Sequence, residues 1–341
     1  MMQLQDRIHA LTQLGDRVKQ SDVDLKRAVF AKAIIDNPWF TESGIEQALE
    51  GIVSEFLNGS RLTEWAEAYT IDNSSPKIVG LVLAGNIPLV GFHDVLCVFI
   101  AGHKSLIKYS HKDKVLLQWM IKLLKEIDPR TEEYFIEVEQ LKGMDAVIAT
   151  GGATAATHFN YYFSKYPHII RRNRSSVAVL NSEDSDDMIK ALGKDIFTYF
   201  GLGCRSISKI YLPEGFNTDR VFENIIDYAD VIHHNKYKNN FDYSHALYIL
   251  AQQPFLTNNF LILKEDAALS SRISCLHYEW YDSLDSVQVD LESRREDLQC
   301  VSSNLTINGF AIVPLGQCQQ PKLEDYADHI DTLDFLIELN D

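Results

Sequence analysis

The residue best suited to chemistry is Cys204, in Phe200-Gly-Leu-Gly-Cys-Arg-Ser206. Glycines around a thiol let a substrate come close to the backbone. Arg205 puts a cation next door, and a nearby cation favours the thiolate, the nucleophilic form. The same pattern also suits a buried cysteine in a helix-to-strand turn. Cys97 falls inside an apolar helical run, and Cys275, Cys300 and Cys318 have no comparable glycine turn. Five cysteines, none in a CxxC pair, point to free thiols in a reducing compartment, with the cytoplasm as the expected location.

Three further groups sit where strands are expected to end. Gly85-Asn86-Ile-Pro88 carries an amide able to donate to an oxyanion, or simply a turn-forming Asn. Lys108, in Leu106-Ile-Lys-Tyr-Ser110, is placed to hold ribose hydroxyls or a phosphate, or else is a surface lysine. The following His111 is not acidic, so nothing there rejects a 2′-phosphate, which favours NADPH over NADH. Thr150-Gly151-Gly152 precedes a helix whose free amides suit a pyrophosphate, although the string is not GxGxxG. Two basic islands, Lys165/Arg171/Arg172/Arg174 and Lys104/Lys108/Lys112/Lys114, are either solvated faces or the seat of an anionic cofactor. His233-His234 reads as a loop pair without a third metal ligand.

The elements needed to place these residues follow from periodicity. Leu4, Ile8, Leu11, Leu14 and Val18 repeat at helical spacing, and Asp22, Thr41 and Arg61 open further helices. Apolar runs at 77–84, 105–109, 145–149 and 176–180 predict strands, alternating with helices over 88–101, 113–127, 153–163 and 185–200. That rhythm means a parallel sheet with helices on both faces. Beyond Gly201 it loosens: strands are expected at 208–212, 246–250, 260–263 and 286–291, and a helix at 219–228. The expected organisation is an N-terminal helical arm (1–72), a nicotinamide-cofactor-binding domain (73–200), a smaller α/β thiol domain (201–315) and an acidic C-terminal segment (316–341). In that segment Tyr326, Ile330, Leu333 and Leu336 are expected to pack beneath a solvated face.

The chain's 341 residues carry a net charge of −16, which argues against a nucleic-acid partner. The acid is uneven, with thirteen acidic and three basic residues from Tyr281 to Asp341. Phosphates therefore remain acceptable earlier in the chain. The most apolar stretch, 78–107, is too interrupted by polar residues to cross a bilayer, and no secretory segment opens the chain.

In this order, Leu83-Ala-Gly-Asn-Ile-Pro88, Gly102-His-Lys-Ser-Leu-Ile-Lys-Tyr-Ser110, Ala149-Thr-Gly-Gly152 and Phe200-Gly-Leu-Gly-Cys-Arg205 resemble the fatty-acyl-CoA reductase family. This is the family of the reductase component of bacterial luminescence fatty acid reductase, within the aldehyde dehydrogenase superfamily. Gly316-Gln317, Asp325-Tyr-Ala-Asp328 and Asp331-Thr-Leu333 are also similar to it. The resemblance implies an aldehyde-dehydrogenase-like α/β fold with a Rossmann-like cofactor domain. It implies Cys204 as acyl acceptor, Asn86 as oxyanion donor, and Lys108, Ser110, Thr150, Gly151 and Gly152 as cofactor contacts. The implied reaction is NADPH-dependent (or NADH-dependent) reduction of acyl-CoA or another acyl thioester to the aldehyde, with no metal. A homo-oligomer or an acyl-transferring partner protein is compatible with it. Where aldehyde-oxidising relatives carry Glu-Leu-Gly-Gly-Lys, this chain has Ile170-Arg-Arg-Asn-Arg174, without a carboxylate to activate water. The competing readings are an NAD(P)-dependent aldehyde oxidiser and a non-reductive cysteine acyltransferase or acyl-binding protein.

Overall fold

The computed structural model describes residues 1–72 and 75–340, so the expected arm-to-domain boundary at 72/73 abuts residues outside the described set. The chain forms two compact units: Met1–Asn173 with the segment from Pro321 onward, and Arg174–Gln320.

The first unit begins with α1 (Leu4–Lys19), α2 (Val23–Asp36), α3 (Glu42–Gly51) and α4 (Gly59–Glu67). Local chemistry sets their starts. Asp22 accepts from the backbone N–H of Asp24 and Leu25, Thr41 from Gly44, and Asn58 from Ser60 and Arg61. The parallel sheet follows: β1 (Ile78–Val82), α5 (Phe92–Ile100), β2 (Lys104–Lys108), α6 (Val115–Ile127), β3 (Phe135–Glu137), β4 (Ala146–Thr150), α7 (Ala153–Phe163) and β5 (His168–Arg171). The strand order is β3-β2-β1-β4-β5, all parallel. The chain moves outward one way through β2 and β3, then returns to place β4 on the other side of β1. Such a switch point opens a ligand crevice at the carboxyl ends of the strands.

The N-terminal helices do not form a separate arm. Leu11, Leu14, Ile45, Leu62 and Trp65 share one core with Leu81, Phe99, Ile107 and Leu124. The wholly buried Arg7 donates to the carbonyls of Met2 and, at 2.8 Å, Ile100, the last residue of α5.

The second unit contains β6 (Ser175–Val179), α8 (Asp186–Phe197), β7 (Ile207–Pro213), α9 (Asp219–Asn224), α10 (Asn235–Leu250), β8 (Leu256–Thr257), β9 (Ile262–Glu265), β10 (Cys275–Tyr281), α11 (Leu284–Ser293), β11 (Leu298–Ser303) and β12 (Ile312–Val313). Its sheet runs β12-β11-β6-β7-β10-β9-β8, parallel except for β8 against β9. Two expected strands are helical. Residues 246–250 are the last turns of α10, and 286–291 lie in α11, which Ser283 caps by accepting from the N–H of Ser286. The unit boundary also differs from the expected one. β6 pairs between β11 and β7, so β6 and α8 sit in the second unit, not with the first sheet.

The expected C-terminal segment divides as well. Asp195 on α8, fully buried, accepts from the N–H of Gly316 (2.6 Å) and Cys318 (2.9 Å), holding 316–320 in the second unit. The rest joins the first unit, where Tyr326, Leu333 and Leu336 are buried but Ile330 is exposed. No helix among the described residues is long and apolar enough to cross a membrane.

Candidate active site

Six of the seven candidate positions lie at the carboxyl-end edge of the first sheet. Lys108 ends β2 and is exposed, and its carbonyl accepts from Leu83 N–H at 3.1 Å, tying the ends of β1 and β2 together. Ser110 follows, its hydroxyl accepting from Lys112 N–H. Thr150 ends β4, and Gly152 is the N-cap of α7. Because β1 lies between β2 and β4, the exposed Asn86, four residues beyond β1, shares this edge. The α7 N-terminus has no side-chain cap and no acid in its first turn, so its leading amides are suited to an anion. A Cβ on Gly151 would meet the Ala155 Cβ at 2.8 Å and the Phe159 ring at 2.9 Å, so glycine lets the turn press onto the helix. These residues fit a dinucleotide's pyrophosphate and ribose.

Cys204 belongs to the second unit. Its approach differs from expectation. α8 stops at Phe197, and Tyr199, Phe200 and Gly201 all take left-handed backbone conformations (φ 53°, 58° and 75°). For the two non-glycine residues such a turn costs roughly 1–3 kcal/mol each and persists only where the surroundings over-determine it. The Phe200 ring lies 4.2 Å from that of His234, the extended residue that caps the N-terminus of α10. Beyond the turn, Ser176 on β6 donates to the Cys204 carbonyl at 2.8 Å and accepts from Cys300 N–H at 3.1 Å. Arg205 donates to Cys300 Sγ at 3.3 Å. Ser176 was not apparent as a site residue from the sequence, because its two partners lie 28 and 124 residues away.

Cys204 is half-buried, whereas the other four cysteines are buried. Burial raises the Cys97 and Cys275 thiols, and Cys318 is raised by its hydrogen bond with Cys300 and by burial. These three are held in the unreactive thiol form.

The basic islands do not survive as phosphate seats in the form expected. Arg171, only 3% exposed, donates to Asp94 (2.7 Å), to the Thr332 hydroxyl (2.7 Å) and to the Ala327 carbonyl (2.6 Å). Burial opposes its charge, but Asp94 and Asp328 outweigh that and raise its pKa. The acidic motif 325–333 therefore wraps a buried cation instead of presenting only a solvated face. In the other island Lys104 pairs with Glu133 at 2.8 Å and Lys114 with Glu137 at 3.7 Å.

The sequence pattern of the acyl-CoA reductase (LuxC) family matches residues 45–229. The chain belongs to this family. It is thereby an oxidoreductase of the aldehyde and acyl level. No curated protein sequence matches it. Among solved structures it is similar to aldehyde dehydrogenase 21 from Physcomitrella patens, in complex with the reaction product succinate (TM-score 0.72, 11% identity, covering 99% of this chain and 84% of that one). It is also similar to lactaldehyde dehydrogenase from Escherichia coli (0.66, 14%, 92% and 79%). A third is an aldehyde dehydrogenase from Bacillus cereus solved as its NAD+ complex (0.64, 13%, 89% and 72%). At these identities the likeness speaks to the fold, which is that of the aldehyde dehydrogenases.

Proposed function

We propose that the protein reduces a fatty acyl-CoA, or another acyl thioester, to the aldehyde through an acyl-enzyme on Cys204, with NADPH as reductant. The observation that carries this reading is that Cys204 is the one partly exposed thiol of five, on a glycine-flanked turn, in a chain of the acyl-CoA reductase family. The Cys204 thiolate attacks the thioester carbonyl and the coenzyme thiolate leaves. The Cys204 N–H and the Asn86 amide stabilise the oxyanion. The first unit takes the cofactor, with Lys108 and Ser110 at the ribose and the Thr150-Gly151-Gly152 turn with the α7 amides at the pyrophosphate. When bound, the nicotinamide supplies the hydride that reduces the acyl carbon.

The departure at 170–174 supports reduction over oxidation. Arg171 is committed to Asp94, and the stretch has no carboxylate to activate water, so the acyl-enzyme persists for reduction. Consumption of NADPH on adding acyl-CoA, in wild type and Cys204→Ala, tests the reading. Oxidation at 340 nm that requires Cys204 is expected. Undiminished turnover in the variant removes Cys204 as nucleophile, and no turnover with either nicotinamide removes the reductase reading.

A further inference from the structure

The loop carrying Asn86 is fixed at both ends by side chains that the reaction itself does not use. At its start the Gly85 carbonyl accepts from the Asn37 side chain at 3.0 Å. Asn37 is the C-cap of α2, 3% exposed, and its own Oδ1 accepts from Trp39 N–H, so its amide is oriented from both sides. At the loop's end Leu89, buried, has a left-handed backbone (φ 57°), and its N–H donates to Asp113 Oδ2 at 2.6 Å. A leucine gains nothing locally from that conformation, and the short bond to a carboxylate offsets its cost. Between these ends Gly85 is pressed onto the Ser110–Asp113 turn. A Cβ there would lie 2.7 Å from Ser110 Oγ and 3.0 Å from Asp113 N. Asn86 itself is exposed on this doubly anchored loop.

Asp113 is 6% exposed, and its second oxygen, Oδ1, has no donor among the described residues. A buried carboxyl with one oxygen unsatisfied is costly, and capping α6 does not account for it, because Lys114 is the N-cap and no side chain bonds there. Its single side-chain hydrogen bond is the one to Leu89.

We propose that Asp113, with Asn37, is a positioning residue that ties the Asn86 loop to the Lys108–Ser110 turn, so that oxyanion donor and cofactor contacts move as one body. The proposal rests on the acyl-thioester reductase reading and on Asn86 as oxyanion donor.

The test is a double-mutant cycle on acyl-CoA reduction, with kcat and KM measured separately and thermal midpoints recorded. Asp113→Ala is expected to lower kcat by about tenfold with KM for acyl-CoA changed less than about threefold, since displaced catalytic groups cost rate before affinity. In an Asn86→Ala background the same change is expected to cost less than about twofold. Asp113→Asn, which keeps an oxygen for Leu89 N–H, is expected to restore kcat to within about threefold of wild type. Asn37→Ala is expected to show the same dependence on Asn86, and serves if Asp113→Ala does not fold. Equal losses with and without Asn86, or unchanged kcat in a folded Asp113→Ala, overturn the clamp. An Asn86→Ala variant with wild-type kcat instead overturns the assignment of Asn86, on which the clamp depends.

Discussion

The edge of the first sheet and the Cys204 turn hold their candidate groups by different physical means. At the sheet edge the candidate groups stand where strands stop, and their placement follows from a regular parallel ladder plus glycines where backbone must pack closely. The Cys204 turn has no strand end to stand on. It follows three left-handed residues and is held by a hydrogen bond from Ser176, a residue of strand β6. Repeated architecture suits a cofactor that must be cradled along its length. A reactive atom needs one position fixed, and backbone strain countered by long-range bonds achieves that locally.

The largest expected effect sharpens the contrast between structural and functional cations. Arg171→Met leaves Asp94 buried without its partner and should cost about 3–5 kcal/mol of unfolding free energy in denaturant titrations. Arg172→Ala, at an exposed position, should stay within about 0.5 kcal/mol. If Arg171→Met left stability intact and weakened NADPH binding instead, Arg171 would belong to the cofactor site.

Next in size, Asn86→Ala should lower kcat for acyl-CoA reduction by about 10- to 1,000-fold, the range for loss of an oxyanion donor. An unchanged rate would strip the sheet edge of its catalytic member and leave it as a binding surface alone.

Ser176→Ala tests the other region. It removes the donor to Cys204 and the acceptor for Cys300, and should cost about 1–3 kcal/mol. The looser turn should also change how strongly alkylation favours Cys204 over the four buried cysteines. Unchanged stability and unchanged selectivity would mean that the left-handed residues alone fix the turn.

The smallest effect is a slope. Burial pushes the Asp113 carboxyl up to about 7 from an unfolded value near 3.8. Between about pH 4 and pH 7 the folded chain therefore binds more protons there than the unfolded chain. Stability should fall as pH rises through that window, and the penalty is complete above it. Asp113→Asn should flatten the slope, seen as a larger gain in thermal midpoint at pH 8 than at pH 5. A parallel shift at both pH values would place the carboxyl's titration elsewhere.

How far the sequence reaches follows the same division. The strands at 77–84, 105–109 and 145–149 and the helices between them are legible because buried parallel strands are continuous apolar runs bounded by glycine and proline. Gly151, at the end of such a run, is legible as a turn for the same reason, and Cys204 is singled out by its flanking glycines. Helix α11 is misread as a strand because Val287, Val289 and Leu291 alternate with polar residues, and so short a run satisfies a period of 2 as well as 3.6. The C-terminal turns of α10 fail similarly. Asn37, Asp113 and Ser176 are illegible as site residues, because each acts through a backbone group distant in sequence and their local patterns match ordinary caps and turns.

The measurement closest to the central claim is mass spectrometry of the protein after incubation with a long-chain acyl-CoA without nicotinamide. The account predicts one acyl adduct, on the peptide containing Cys204, that disappears on adding NADPH with release of aldehyde. It is absent from Cys204→Ala. An adduct on another cysteine, or none in a sample that still turns over, would contradict it.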